Sequence, residues 1–518
     1  MRLSPSAHLD TFCRDHLPAP DSWPEFDFTL PELAYPAELN CAAELVDGDS
    51  DRRCLLGDGE VWTYAQVADR ARRVAAALTD DQGLVPGNRV LLRGPNNPWL
   101  VVSWLGGLLA GGVVVTTMPL LRPGELATIG EISQPTVALC DPRFLDDLVL
   151  ADIPGLRILT YDDLQISTVR ADFTPVRTAA DDVAMLAFTS GTTGRPKATM
   201  HFHRDVLAIA DTYGRHVLQL RPTDLVVGTP PLAFTFGLGA LVIFPLRAGA
   251  ATLLLEKAAP ELLVDAIEEH AVTVVFTAPI AYRAMLSERN LGRISSLRRC
   301  VSAGEHLSAA IWSDFREKTG IRILDGIGAT EMLHIFLSRT ETDDKAGSTG
   351  RPVPGYQAIV VGPAGDPVPD GTPGQLAVRG PTGCRYLADD RQHDYVRNGW
   401  NITGDTYIRD TDGWFWFQAR SDDMIVSAGY NIAGPEVEEA LLRHPDVAEC
   451  AVVGAPDDLR GTVVKAVVVP TNGVLPDVKA LQDFVKSEIA PYKYPRIIEF
   501  RTELPRTATG KLQRYRLR

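Results

Sequence analysis

The sequence predicts an α/β protein, with a large N-terminal part of layered sheets and helices and a smaller α+β part at the C-terminus. Three observations carry this. Short β-branched apolar runs alternate with helical segments over roughly the first 350 residues, the pattern of α/β layers with largely parallel strands. Near residue 350 the composition turns rich in proline and glycine, and near residue 420 it changes again. At 518 residues, the chain also exceeds the size at which a single core keeps growing.

The elements follow in order. Val67, Ala71, Val74, Ala75 and Leu78 share one face of an amphipathic helix over residues 61–79. Arg89–Leu92 reads as a short buried strand. The apolar stretch Trp99–Met118 approaches membrane length, but Gly106, Gly107, Gly111 and Gly112 interrupt it and it ends in Val113–Thr117. A buried helix followed by a core strand is predicted there, not a membrane span. Further strands are predicted at Thr136–Cys140, Leu225–Gly228, Ala251–Leu255, Val272–Phe276 and Arg298–Ser302, with helices at Pro260–Glu269 and Ala309–Thr319. Turns at Pro363–Asp366 and Asp370–Gly374 mark a β-rich subdomain over about 350–420. Beyond it, helix Pro435–Arg443, strands Val447–Gly454 and Val463–Pro470, and helix Val478–Ile489 make a compact unit of acceptable domain size.

The net charge of −15 disfavours nonspecific binding to nucleic acid or to anionic lipid. Any site for a polyphosphate must therefore concentrate positive charge locally. No pair among the seven cysteines has zinc-ligand or CxxC spacing, so reduced thiols in a cytosol are expected. The first 20 residues lack the apolar core of a signal peptide. A cytoplasmic protein is expected, without membrane or nucleic-acid partners; a homodimer stays open.

The run Thr189-Ser190-Gly191-Thr192-Thr193-Gly194-Arg195-Pro196-Lys197 carries the most chemistry. Its glycines open unusual backbone conformations, so that turned N–H groups and hydroxyls converge on an anion, with Arg195 and Lys197 adding charge. Gly194 is not followed by Lys and Ser or Thr, so it fails the common P-loop pattern. The whole run resembles the phosphate loop of the adenylate-forming family: acyl-CoA and aryl-CoA ligases, adenylation domains of peptide synthetases, and beetle luciferases.

Further segments extend the resemblance in order, from about residue 185 to 511. It implies ATP, Mg²⁺ and coenzyme A as cofactors and co-substrate, and formation of an acyl-AMP from a carboxylic acid. In Asp325-Gly326-Ile327-Gly328-Ala329-Thr330-Glu331, which on its own reads as a turn after a strand at Ile321–Leu324, Thr330 would bond the α-phosphate and Glu331 would coordinate Mg²⁺. Most relatives place an aromatic residue where Ile327 stands. Ser302-Ala303-Gly304-Glu305 is similar to the segment along the other side of the adenine and acyl sites, with Gly304 and Glu305 toward the nucleotide. Asp405 and Arg420 are implied at the ribose. Asp422 is the implied hinge between a 1–421 domain and a mobile 422–518 lid. Gly429 is implied beside the pantetheine arm, although Ala428 replaces one of the usual glycines. Lys511 is the implied catalytic cation, stabilising the transition state of adenylation.

Pro230–Gly239, Thr277–Pro279 and Thr330–Phe336, together with Met200–Asp205, resemble the benzoate and 2-aminobenzoate branch. By that resemblance Thr235, Phe236, Ala303, Gly328, His334 and Ile335 line a small flat pocket. His334 bonds an ortho substituent or the carboxylate, or packs behind the pocket as a structural histidine. The absence of histidine in Phe234–Phe236 argues against the halobenzoate type, while small Ala233, Ala303 and Gly328 leave a bulky acid open. An acid–CoA ligase is expected, with loading of an acyl carrier protein as the alternative.

Overall fold

The computed structural model describes residues 3–46, 50–57, 59–166, 172–189, 196–257, 259–420, 425–427, 430–457, 461–471, 475–489, 491–506 and 512–518. Among them the large N-terminal domain holds three sheets. The first runs in the order Arg157–Thr160, Pro135–Cys140, Arg89–Arg93, Val113–Thr117, Val183–Thr189, Lys197–Phe202, parallel except for the last pair. The second runs Arg351–Pro352, Ile335–Ser338, Leu324–Gly328, Arg299–Ser302, Val274–Thr277, Leu225–Gly228, Ala251–Leu253, Arg53–Gly57, Glu60–Thr63. It is parallel from Leu324–Gly328 to Arg53–Gly57 and antiparallel at both ends.

One apolar cluster joins these two sheets through the helices Tyr64–Ala76 and Pro98–Leu109. The predicted buried helix is thus the filling between the sheets, and no described helix is long and apolar enough to cross a membrane. Gly106 lets the two helices touch, since a Cβ there would lie 2.6 Å from Val74.

The third sheet is antiparallel. Gln357–Val361 pairs with Gly374–Arg379, which pairs with Trp400–Arg409; that strand also takes Val396–Arg397 and Phe415–Arg420. This is the β-rich region. The smaller C-terminal domain packs helices Gly434–Leu442 and Val478–Glu488 on the sheet Val447–Asp457, Gly461–Pro470, Ile497–Phe500, around Val437, Leu441, Val464 and Leu481.

Two expectations are corrected. The helix over 61–79 begins at Tyr64, because Glu60–Thr63 pairs with Arg53–Gly57 and Thr63 closes a capping box with Gln66. The strand near Ile321–Leu324 lies later, at Leu324–Gly328, where it pairs antiparallel with Ile335–Ser338. The Asp325–Gly328 motif is therefore strand, not turn.

Candidate active site

Thr189 and Lys197 face each other across the last two strands of the first sheet. The loop residues Ser190, Gly191, Thr192, Thr193 and Gly194 lie outside the described residues, as do Asp422, Gly429 and Lys511. At the base of that hairpin, Lys197 Nζ donates to the Tyr386 hydroxyl at 2.7 Å. Tyr386 donates in turn to Glu331 Oε1 at 2.5 Å, and Nζ lies 3.8 Å from the same oxygen. Glu331 and Tyr386 are buried.

The strand Lys197–Phe202 holds both partners. His201 Nε2 meets the Thr330 carbonyl at 2.9 Å and ties down the turn Thr330–Met332. A carbonyl only accepts, so Nε2 carries the proton. Burial pushes this imidazole down to about 3, which keeps it neutral. On the other side, Met200 N donates to the Arg385 carbonyl and Leu387 N to the Ala198 carbonyl. Arg385 forms a fully buried ion pair with Asp205 and stacks over Phe202. Thr330 and Glu331 are thus brought beside Lys197 by contacts among three distant segments. Among the described residues Glu331 Oε2 has no hydrogen-bond partner. A carboxylate beside Lys197, with Tyr386 on one oxygen only, fits a hard cation that keeps further oxygen ligands.

Asp405 and Arg420 are paired residues of neighbouring strands, with Nη1 donating to Oδ1 at 3.0 Å. Gly404 has φ +75°, and a Cβ there would lie 3.3 Å from the Arg420 guanidinium. Asp405 is buried and Arg420 exposed.

Of the residues expected at the acid, the structure brings together Phe236, Gly328, His334 and Ile335. The His334 ring lies 4.6 Å from Phe244 and 5.6 Å from both Phe236 and Tyr213. Its Nε2 meets the Phe236 carbonyl at 3.3 Å. Burial pushes it down to about 3, so it is neutral. Gly328 pairs with Ile335, and a Cβ at 328 would lie 2.6 Å from the His334 carbonyl oxygen. Thr235 opens the short helix Thr235–Leu238, and Ala303 follows the strand Arg299–Ser302; both are buried.

Asp325, Gly326 and Ile327 form the strand that leads to Thr330. Asp325 is buried, and burial pushes its carboxyl up to about 7 against the opposing charges of His306 and Arg339. Gly304 has φ +89° with open space where a side chain would be. Glu305 accepts from Leu512 N at 2.7 Å and lies 3.5 Å from Arg506, so here it grips the C-terminal domain. Beside it, Glu439 of that domain accepts from His306 Nε2 and from Ala309 N, both at 3.2 Å. Tyr386, His306 and Glu439 escaped the sequence reading, because their partners are remote in the chain and no local pattern marks them.

The AMP-binding enzyme family model matches residues 43–386, and the AMP-binding enzyme C-terminal domain matches residues 436–511. The chain belongs to the AMP-binding enzyme family. It is 34% identical to a benzoate–CoA ligase of Thauera aromatica, over 95% of this chain and 98% of that one. Its fold matches the anthranilate CoA ligase AuaEII, solved in complex with anthranoyl-AMP, with TM-score 0.89 and 33% identity over 94% of this chain and 98% of that one. It also matches the amide bond synthetase McbA of Marinactinospora thermotolerans, with TM-score 0.85 and 28% identity over 94% and 99% of the two chains. The run at 189–197, the strand Leu324–Gly328 and the Thr330–Glu331 turn after it fall inside the AMP-binding match.

Proposed function

We propose that the protein is an ATP-dependent ligase joining an aromatic carboxylic acid to coenzyme A. A carboxylate oxygen attacks the α-phosphorus of ATP, and pyrophosphate leaves. The CoA thiolate then attacks the acyl carbon, the bond to AMP breaks, and the aryl thioester and AMP remain. The loop from Thr189 to Gly194 and Lys197 hold the departing phosphates, Thr330 the α-phosphate, and Asp405 with Arg420 the ribose. Gly304, Glu305, Asp325, Gly326 and Ile327 border the adenine. Lys511 stabilises charge at the oxygen joining acid and phosphorus. Mg²⁺ held at Glu331 would neutralise phosphate charge. A 422–518 domain turning at Asp422 brings Gly429 to the pantetheine arm for the second step.

One observation supports the aromatic acid above all. Neutral His334, Phe236, Ile335 and side-chain-free Gly328 make an apolar wall without a described charge, which suits a ring better than a polar or charged acid. His334 Nδ1 is a buried acceptor without a partner among the described residues. An ortho N–H or O–H donor on the ring would satisfy it, which favours 2-aminobenzoate over benzoate.

Acid-dependent pyrophosphate release tests the reading. The panel is benzoate, 2-aminobenzoate, 2-hydroxybenzoate and bulky alicyclic acids, with CoA, a holo-carrier protein or an amine as acceptor. Release with 2-aminobenzoate at the lowest KM, followed by thioester formation on CoA, is expected. No release with any aromatic acid would sink the acid class, and transfer only to the carrier or the amine would replace the second step.

A further inference from the structure

Between Lys197 and Glu331, the two groups given to the phosphate end of ATP, stands a third residue that neither the motifs nor the family match assigns. The Lys197 ammonium has donors only, so the Tyr386 oxygen accepts from it, and the single phenol proton goes to Glu331 Oε1. The chain of hydrogen bonds has one direction. Nζ and Oε1 are already only 3.8 Å apart. Without the phenol oxygen they would close into a direct ion pair, because unit charges attract more strongly as they approach in a poorly solvated site. A closed pair would turn the Lys197 charge away from phosphate and would neutralise the carboxylate that is to hold the cation.

Tyr386 is held to do this. Its backbone N donates to Gln392 Oε1 at 2.9 Å, and Gln392 is itself fixed by donating to the carbonyls of Ser22 and Cys384. The backbone at Tyr386 bridges to Thr199. The ring packs edge-on against Tyr395 at 5.9 Å and lies under Nζ at 4.5 Å.

We propose that Tyr386 is a positioning residue for ATP: its hydroxyl spaces Lys197 from Glu331 so that the ammonium stays on the phosphates and the carboxylate charge stays available to a cation. This rests on the ligase reading above. The test is Tyr386→Phe in the full chain, with ATP binding measured by calorimetry with and without Mg²⁺, beside acid-dependent pyrophosphate release. The affinity for ATP with Mg²⁺ is expected to fall about tenfold, with the KM for the acid unchanged and the melting midpoint near that of the parent. In a Lys197→Ala background the same change is expected to add nothing, because closure needs both charges; this non-additivity is what a packing role would not produce. Should Tyr386→Phe fail to fold, Gln392→Ala frees the Tyr386 backbone while leaving the phenol, and a smaller loss of the same kind is expected. Parental ATP affinity in folded Tyr386→Phe, or a full additive loss in the Lys197→Ala background, would overturn the proposal. The titrations need no acid, so they decide on Tyr386 even if no acid of the panel is turned over.

Discussion

Between Thr330 and Ile335 the chain passes from one kind of environment to its opposite. At the near end, Thr330 and Glu331 meet a histidine and a tyrosine through directed hydrogen bonds, and a lysine stands 3.8 Å from the Glu331 carboxylate. At the far end, His334 and Ile335 sit among rings and aliphatic groups, and the His334 imidazole is held neutral by burial. The turn Thr330–Met332 and the left-handed Leu333, at φ +68°, make this change of direction. The contrast teaches a division of labour. Under the proposed function, the end that receives phosphates needs charge whose direction is fixed. Under the same reading, the end that chooses an acid needs shape, and a charge there would bind water or the wrong acid.

The halves can be broken separately. Lys511→Ala carries the largest expected effect, because the proposed function gives Lys511 the charge that serves adenylation. Pyrophosphate release is expected to fall by about 10²–10³-fold, the scale of removing one charge-stabilising donor. Thioester formation from supplied acyl-AMP is expected to stay near normal, and equal loss in both half-reactions would remove Lys511 from its role. Gly239→Ala strikes the apolar half. A Cβ at 239 would lie 2.3 Å from His334 Cδ2. The ring has no room to retreat between Phe236, Phe244 and Tyr213, and overpacking of this kind costs about 1–3 kcal/mol. The KM for the acid is expected to rise and the melting midpoint to fall, with the KM for ATP unchanged. Parallel rises in both KM values would mean the halves are not independent.

Asp325 sits on the strand leading into both halves. Its carboxyl is raised from 3.8 to about 7 in the fold. Between those values the unfolded chain has lost a proton that the folded chain keeps, so stability falls as pH rises from about 4 to about 7. Asp325→Asn is expected to flatten this slope in melting midpoints measured at pH 4.5 and 7.5. An unchanged slope would show that Asp325 does not ionise with this cost.

What was legible in the sequence was local chemistry. Helix Ala309–Thr319 was readable because Ser308 caps it and Gly320, at φ +75°, ends it. The 189–197 run and the Thr330–Glu331 segment stood out because each sets particular residue types at fixed spacing, and both fall inside the family match. The strand Leu324–Gly328 was misplaced because Gly326 and Gly328 weaken any β signal; its place is set by the ladder with Ile335–Ser338. Tyr386 was invisible for another reason. Lys197 lies 189 residues away along the chain, and a lone tyrosine carries no periodicity that points to a lysine.

The smallest expected effect is at the seam with the C-terminal domain, where His306 meets Glu439. Burial alone would lower His306, but the hydrogen bond and charge of Glu439, with Asp325 and Glu438 adding, raise it above 6.5. Burial would raise Glu439, but His306, Ala309 N–H and Arg443 lower it. The contact is therefore complete below the ordinary histidine range and is lost as pH rises through the raised His306 value. It also weakens as pH falls through the lowered Glu439 value. Both side chains keep some exposure, 16% and 30%, so solvent screening limits the gain to about 1 kcal/mol or less. If this contact helps hold the C-terminal domain in the docked arrangement seen here, adenylation relative to thioester formation should decline about two- to fivefold from pH 6 to pH 8.5. His306→Gln should abolish most of that decline. The same decline in His306→Gln and in Glu439→Gln would place the pH sensitivity elsewhere, most simply on the CoA thiol, whose own ionisation moves in this range and favours the second step as pH rises. Measuring each half-reaction separately, with acyl-AMP supplied for the second, tells the two apart, because only the seam alters the first.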